Sequence, residues 1–267
     1  MIIKEIHVKT VLSRSRIYGV DYSINPYTGC EHGCVYCYAR FMLRFIEAPY
    51  EWGDFVYVKI NAPRVLFREL RYARRGLVLL SSVCDPYQPI EQIYELTRKI
   101  LSVLLRKDFP ITILTKSNLV LRDVDLIQKF SEKEVGFTIV TLDEEVRRIF
   151  EPKSSRIIDR LEALSSLKEK DIDTFAFLGP ILPYITEETL DDLFRELSYR
   201  NVDRILVDRL NIKSGNWAYI SKALMEYDRN LFEKFKNALF NQEYYENIRI
   251  HIKDLALKYK LRLEFCY

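Results

Sequence analysis

The chain has 267 residues, 48% hydrophobic and 30% charged, enough apolar side chain to bury one sizeable core. Its 41 Lys and Arg against 38 Asp and Glu leave a net charge of +3, which neither demands nor excludes an anionic partner. No run of about 18 apolar residues offers a membrane span, the opening "MIIKEIHVKT" lacks the apolar centre of a leader, and five cysteines are poor disulfide material, so a cytoplasmic, monomeric protein away from membranes is expected.

In chain order, "GVDYSINP" (19–26) reads as a first strand ending at Pro26. A glycine-containing loop follows, "NPYTGCEHGCVYCYAR" (25–40), holding three of the five cysteines. Five β-rich and nearly continuous apolar runs come next: "GLVLLSSVC" (76–84), "ITILTKS" (111–117), "VGFTIVT" (135–141), "TFAFLGPIL" (174–182) and "DRILVDRL" (203–210). Between them lie helical faces built by Ile93, Leu96, Ile100 and Leu104, by Ile157, Leu161, Leu164 and Leu167, and by Leu190, Leu193, Phe194 and Leu197. Strand and helix in alternation require parallel pairing through right-handed crossovers. The expected fold is therefore α/β, a partial (β/α)6 TIM-type barrel over residues 1–212. Two amphipathic helices and a last apolar run, "LRLEFC", are expected to form a C-terminal helical extension over 213–267 that caps the barrel.

Cys30, Cys34 and Cys37 have the spacing C-x3-C-x2-C at a strand end, where barrels of this kind collect their functional groups. Thiols so close together in a reducing compartment read as metal-binding. A structural zinc site would need a fourth ligand, and His32 stands awkwardly between two of the cysteines. A [4Fe–4S] cube held by three thiolates keeps one iron open for chemistry.

That spacing, with Tyr36 directly before the third cysteine, resembles the radical S-adenosylmethionine (SAM) enzymes. The longer string around it, with "CDPYQPIE" (84–91) and "FEPKSSRIIDRLEAL" (150–164), is similar to the branch related to spore photoproduct lyase, the DNA repair photolyase-like proteins, from about residue 17 to 210. The resemblance implies a [4Fe–4S] cluster on Cys30, Cys34 and Cys37, SAM on the open iron, and reductive cleavage to a 5′-deoxyadenosyl radical that abstracts hydrogen from a substrate. It implies a reductant protein such as flavodoxin or ferredoxin as partner.

The same resemblance places SAM contacts at Tyr36 near the adenine, at Ser82 and Asp85 for the amino group, and at Lys116 for the carboxylate. A lysine at the end of a buried strand also asks for an anion on desolvation grounds. Thr141 would reach the ribose or carboxylate. Arg160, with Arg156 one turn earlier, would add a second cation, and a solvated helix face explains the pair equally well. Gly179 and Ile181, in "GPILP", would lie along the adenine, though Pro183 replaces a glycine of the pattern and apolar packing also accounts for the run. As hydrogen-transfer residues the resemblance offers Tyr36, Tyr38 and Cys84. Matching the aspartates puts Ser82 where the lyase keeps its cysteine, and a shift of two along a strand would leave Cys84 on the same face; a small buried hydrophobe is the alternative for Cys84.

The implied substrate is a nucleic acid, or else a peptide or metabolite; an iron–sulfur carrier or sensor without SAM chemistry is the rival from another class. "RYARR" (71–75) and "RNVDRILVDRLNIKSGNW" (200–217) mix basic and aromatic residues as a nucleic-acid groove does, and solvated faces do the same.

Overall fold

The computed structural model describes residues 1–46, 50–212 and 215–267. In chain order the strands are β1 (Ile2–Ile6), β2 (Ser13–Arg14), β3 (Tyr22–Ile24), β4 (Tyr27–Thr28), β5 (Phe55–Lys59), β6 (Val78–Leu80), β7 (Ile111–Thr115), β8 (Lys133–Thr138), β9 (Asp173–Ile181), β10 (Arg204–Arg209) and β11 (Leu263–Phe265). The helices are α1 (Ala62–Glu69), α2 (Glu91–Tyr94), α3 (Leu96–Leu105), α4 (Val124–Ile127), α5 (Glu144–Phe150), α6 (Ile157–Lys168), α7 (Leu190–Tyr199), α8 (Asn216–Tyr227), α9 (Arg229–Ala238) and α10 (Gln242–Tyr259).

The main sheet runs β11-β10-β9-β8-β7-β6-β3-β2, parallel throughout except for the short antiparallel β2. Each parallel strand lies beside its predecessor, the order of an incomplete TIM-type barrel. A second sheet, β1-β5-β4, flanks it. No helix among the described residues is long and apolar enough to cross a membrane.

Register divides the barrel strands into two faces. Ile24, Leu80, Ile113, Val135, Ala176 and Val207 lie on the outer face, buried in one core with Leu101 and Leu104 of α3 and Leu161 and Leu164 of α6. Ser23, Leu79, Thr112, Glu134, Phe175 and Arg204 share the opposite, inner face. The lower interior is closed by polar and aromatic contacts: Arg204 bonds Glu134 at 2.7 Å and Glu264 at 3.1 Å, and its guanidinium stands 5.2 Å from the Phe175 ring centroid. Phe175 lies flat over Gly136, where a Cβ would come within 2.3 Å of the ring.

Two element boundaries differ from the sequence expectation. Glu95, at φ 49°, turns the chain between α2 and α3, so Ile93 falls out of the Leu96 face and is 75% exposed. The stretch after residue 215 forms three helices, because Asp228 ends α8 in an extended conformation and caps α9, accepting from the backbone N–H of Asn230 (2.7 Å) and Leu231 (3.2 Å). The last strand, β11, joins the barrel sheet beside β10. The expected boundary at residue 213 lies outside the described residues.

Candidate active site: a cysteine loop at the barrel mouth

The loop carrying Cys30, Cys34 and Cys37 follows β3 and β4 at the C-terminal end of the barrel. Its path depends on glycine at two positions. Gly29 (φ +89°) lies so close to Phe55 that a Cβ would sit 2.4 Å from the Phe55 carbonyl oxygen. Gly33 (φ +61°) packs against Gly53, where a Cβ would meet the Gly33 Cα at 2.9 Å. Long-range hydrogen bonds then fasten the loop: Glu31 N to Gln88 Oε1 (2.8 Å), Ile90 N to Glu31 Oε1 (2.5 Å), Val35 N to Phe150 O (2.9 Å) and Asn216 Nδ2 to Tyr36 O (3.1 Å).

His32 is buried and committed. Its Nδ1 lies 2.9 Å from Lys153 O, and its Nε2 3.2 Å from Asp85 Oδ2. It pins the loop and is no metal ligand here. Cys30, Cys34 and Cys37 are free thiols, the first two buried. Burial pushes all three above the usual thiol range, and their mutual repulsion adds to it for Cys30 and Cys34. Thiolates in so dry a place need a metal to take the proton's position. Trp52 Nε1, buried and without an acceptor among the described residues, works on Cys37 in the lowering direction. Among the described residues no three His, Cys, Asp or Glu side chains converge on a single-ion position. Three free thiols with an orphaned N–H beside one of them suit an iron–sulfur cube, which takes one thiolate at each of three corners.

The expected SAM-contacting residues divide into two groups. Lys116 remains available: its Nζ touches Thr138 Oγ1 at 3.3 Å and stands 5.7 Å from the Tyr36 ring centroid. Burial opposes its charge, but Cys34, Glu151 and Asp85 outweigh burial and raise its pKa. Ser82 is half-buried, its side chain accepting from Asn25 Nδ2 at 3.1 Å.

The other side chains are spent inside the protein. Asp85 accepts from Thr115 Oγ1 (2.6 Å), Lys116 N (2.8 Å) and Tyr87 N (2.9 Å); burial would raise its pKa, yet His32, Thr115 and the Lys116 N–H hold it at about 2. Arg160 is 1% exposed and binds Glu151 Oε2 (2.5 Å), Thr138 O (2.8 Å) and Ser155 O (3.0 Å). It therefore anchors Glu151, while Arg156 is exposed and paired with Asp159. Thr141 is buried in the loop after β8, accepting from Asp143 N at 3.0 Å. Gly179 lies against Phe177, whose ring a Cβ would meet at 2.5 Å, so packing explains it. Ile181 pairs with Arg209 across the register shift between β9 and β10 and is fully buried in the main core.

The hydrogen-transfer candidates also separate. Tyr36 is buried with its hydroxyl donated to Glu151, inside the Arg160 network, so it is positioned as a wall of the site. Tyr38 is 46% exposed and donates to Ser82 O. Cys84 lies in the loop after β6, which ends at Leu80, so strand parity does not govern it. Its Sγ is 3.1 Å from Ser81 Oγ, and it packs in one cluster with Cys30, Cys37 and Phe55. Burial lifts its thiol to about 11. Sequence reasoning missed Asn25, which bonds Ser82 N (3.0 Å) and Val83 N (2.8 Å), as well as Glu151 and the buried Arg40. All three stand inside the quoted strings, but a polar residue has no periodicity to betray its partner.

Three thiols in a strand-end loop, a buried lysine facing them, and an open parallel barrel behind define an iron–sulfur enzyme of the barrel class. The sequence matches the Radical SAM superfamily over residues 24–197, and the chain belongs to it: it is a radical SAM enzyme, with a [4Fe–4S] cluster and SAM as cofactors. It is 41% identical over 191 residues to an uncharacterized protein of Methanocaldococcus jannaschii, covering 69% of this chain and 72% of that one. A radical SAM Nalpha-GlyT isomerase of Pseudomonas phage M6 is 22% identical over 91% of this chain, which spans 49% of the phage protein. Among solved structures, spore photoproduct lyase complexed with dinucleoside spore photoproduct has the same fold, with a TM-score of 0.76 at 15% identity over 99% of this chain and 82% of the lyase.

Proposed function

We propose that this enzyme abstracts hydrogen from a nucleic-acid substrate and returns a hydrogen to the product from Cys84. Cys30, Cys34 and Cys37 would hold the cluster, and SAM bound there would supply, on one-electron reduction, methionine and a 5′-deoxyadenosyl radical. The chain's own residues do the rest. Lys116 is the one expected SAM contact whose charge is left for an anion, and it is assigned to the SAM carboxylate. Tyr36, Asp85 and Arg160 hold the walls. A small reductant protein such as flavodoxin or ferredoxin is the proposed electron source.

The observation that carries the reading is the place of Cys84: a thiol packed against Cys30 and Cys37 yet unable to join their motif, with Tyr38 bonded to the same loop at Ser82. An S–H bond there can give its hydrogen atom to a carbon radical, and the sulfur radical left on Cys84 is returned to the thiol by one electron from the reductant protein and one proton. The fold shared with a lyase solved with a dinucleoside photoproduct favours a nucleotide-bearing substrate, although fold by itself does not fix substrate. "RYARR" does not contribute: it precedes β6 at the end of the barrel opposite the cysteine loop, and Arg75 there is paired with Glu132 at 2.9 Å.

The test is anaerobic reconstitution, followed by measurement of 5′-deoxyadenosine with and without DNA oligonucleotides, a spore-photoproduct dinucleotide and peptides. The wild type should bind iron and sulfide, the triple replacement of Cys30, Cys34 and Cys37 by Ala should bind neither, and DNA should stimulate SAM cleavage. Stimulation by peptides alone would overturn the substrate class. Efficient thymine release from the dinucleotide, lost in Cys84→Ala, would make this a spore photoproduct lyase in full; we expect none.

A further inference from the structure

Behind the cysteine loop, away from the barrel interior, lies a cation that the proposed chemistry does not use. Arg40 is 4% exposed. Its guanidinium carbon stands 3.8 Å from the Tyr219 ring centroid on α8, and its NH2 group reaches Cys34 O at 3.4 Å. Its Nε and NH1 groups are buried with no acceptor among the described residues. A guanidinium in a protein stays charged, and leaving two of its N–H groups dry and unpaired is expensive. Burial works against its charge; the Cys37 sulfur, Tyr219, Glu51 and Cys34 work for it, Cys37 most strongly among them. Trp52 Nε1, also buried, has no acceptor among the described residues besides the Cys37 sulfur, whose pKa it lowers.

We infer that Arg40 and Trp52 are the electrostatic and hydrogen-bonding counterweight of the cluster, donating to its sulfur atoms beside Cys34 and Cys37 and favouring its reduced form. Three thiolates already make the oxidised cluster negative, and reduction adds one more negative charge in a site that Cys30 and Cys34 show to be dry. Hydrogen bonds to cluster sulfurs and nearby charge are the levers that set such potentials. A guanidinium fixed against Tyr219 would lower the cost of that added charge without offering a ligand atom to iron. Arg40 is thus a positioning residue acting through the cluster. The inference rests on the cluster and is independent of which substrate is used.

The experiment is a reductive titration of anaerobically reconstituted protein, without SAM or substrate, for wild type, Arg40→Gln and Arg40→Lys, with iron and sulfide determined for each. At full iron content Arg40→Gln should shift the midpoint negative by at least the equivalent of a tenfold change in the reduction equilibrium, 59 mV for one electron, while Arg40→Lys stays nearer to wild type. A midpoint unchanged in Arg40→Gln, or equal shifts in both variants, would overturn the inference. Iron lost from Arg40→Gln but kept by Arg40→Lys supports charge compensation already at assembly; iron lost from both reduces Arg40 to a packing role. Absence of a cluster in the wild type would instead be the failure of the cofactor assignment, and the iron analysis reads that separately.

Discussion

Lys116 leaves the end of β7 with a charge that, among the described residues, hydrogen-bonds a hydroxyl, Thr138 Oγ1. Lys116 lowers the pKa of Cys34 and Cys37 through space but makes no hydrogen bond to the cysteine loop, whose backbone is held by bonds within the loop and by Phe150 O, Gln88 and Asn216. In Lys116→Ala the iron content should therefore be unchanged while SAM binds more weakly, by about 1.5–3 kcal/mol, roughly ten- to a hundredfold, as expected for a charge-assisted contact. Equilibrium binding of SAM to the reconstituted variant measures it, and unchanged affinity would return Lys116 to a structural role. Asp85 behaves differently. Its carboxyl, held at about 2 against an ordinary 3.8, stabilises the folded state only when ionised. Its contribution is fully present above about pH 4 and is lost as pH falls towards 2; a shift of this size corresponds to about 2 kcal/mol. In urea unfolding of the apo chain, Asp85→Asn should be less stable than wild type by about that much at neutral pH, with the gap closing between about pH 4 and pH 2. A gap independent of pH over that range would assign the loss to packing.

At the scale of elements, capping and local backbone geometry decide what hydrophobic pattern leaves open. The apolar positions of "GNWAYISKALMEYDRNLFEKFKNALF" continue through Asp228, so the pattern reads as one helix. The backbone breaks there because the Asp228 side chain competes for the N–H groups that begin α9. Asp228→Ala should cost about 1 kcal/mol in chemical denaturation and leave the site untouched. No loss of stability would mean that the break between α8 and α9 is imposed by packing alone. Glu95 illustrates the same limit in reverse: a non-glycine residue at φ 49° carries no compositional warning, and the face that begins at Leu96 is correctly read only from that residue onward. By contrast Ile157, Leu161, Leu164 and Leu167 are all buried, because α6 has no interruption and its stripe faces the sheet throughout.

For the whole molecule, the barrel was legible because each of its parallel strands is buried on its helix-facing side and lies next to its predecessor in the chain, so local apolar runs carry the global topology. The cysteines were legible because cluster ligation fixes their spacing within one loop. What surrounds them was not. Glu151, which holds Tyr36, is 115 residues from it; Asn25 reaches Ser82 across 57 residues; Arg40 meets Tyr219 only because α8 folds back over the loop. Arg160 was noticed but its partner Glu151 was not, since a charged residue on a helix shows its face but not what buries it. The register shift beside Ile181 is of the kind that backbone geometry alone creates, and no apolar pattern announces it.

The fasteners of the cysteine loop bear on when the metal can be received during synthesis. His32 meets Lys153 121 residues further on, and Tyr36 O waits for Asn216, 180 residues later. At translation rates of 5–20 residues per second the three thiols emerge on the order of ten seconds before the first of these partners exists. For that interval they are exposed to oxidants and to stray soft metals, without the dry setting that selects a cube. The strands behind them can meanwhile line up in the order in which they leave the ribosome. Delivery of iron and sulfide therefore belongs after the segment of Lys153 has met His32 and α8 has folded over the loop, which makes the loading machinery of the cell a client of a nearly finished barrel.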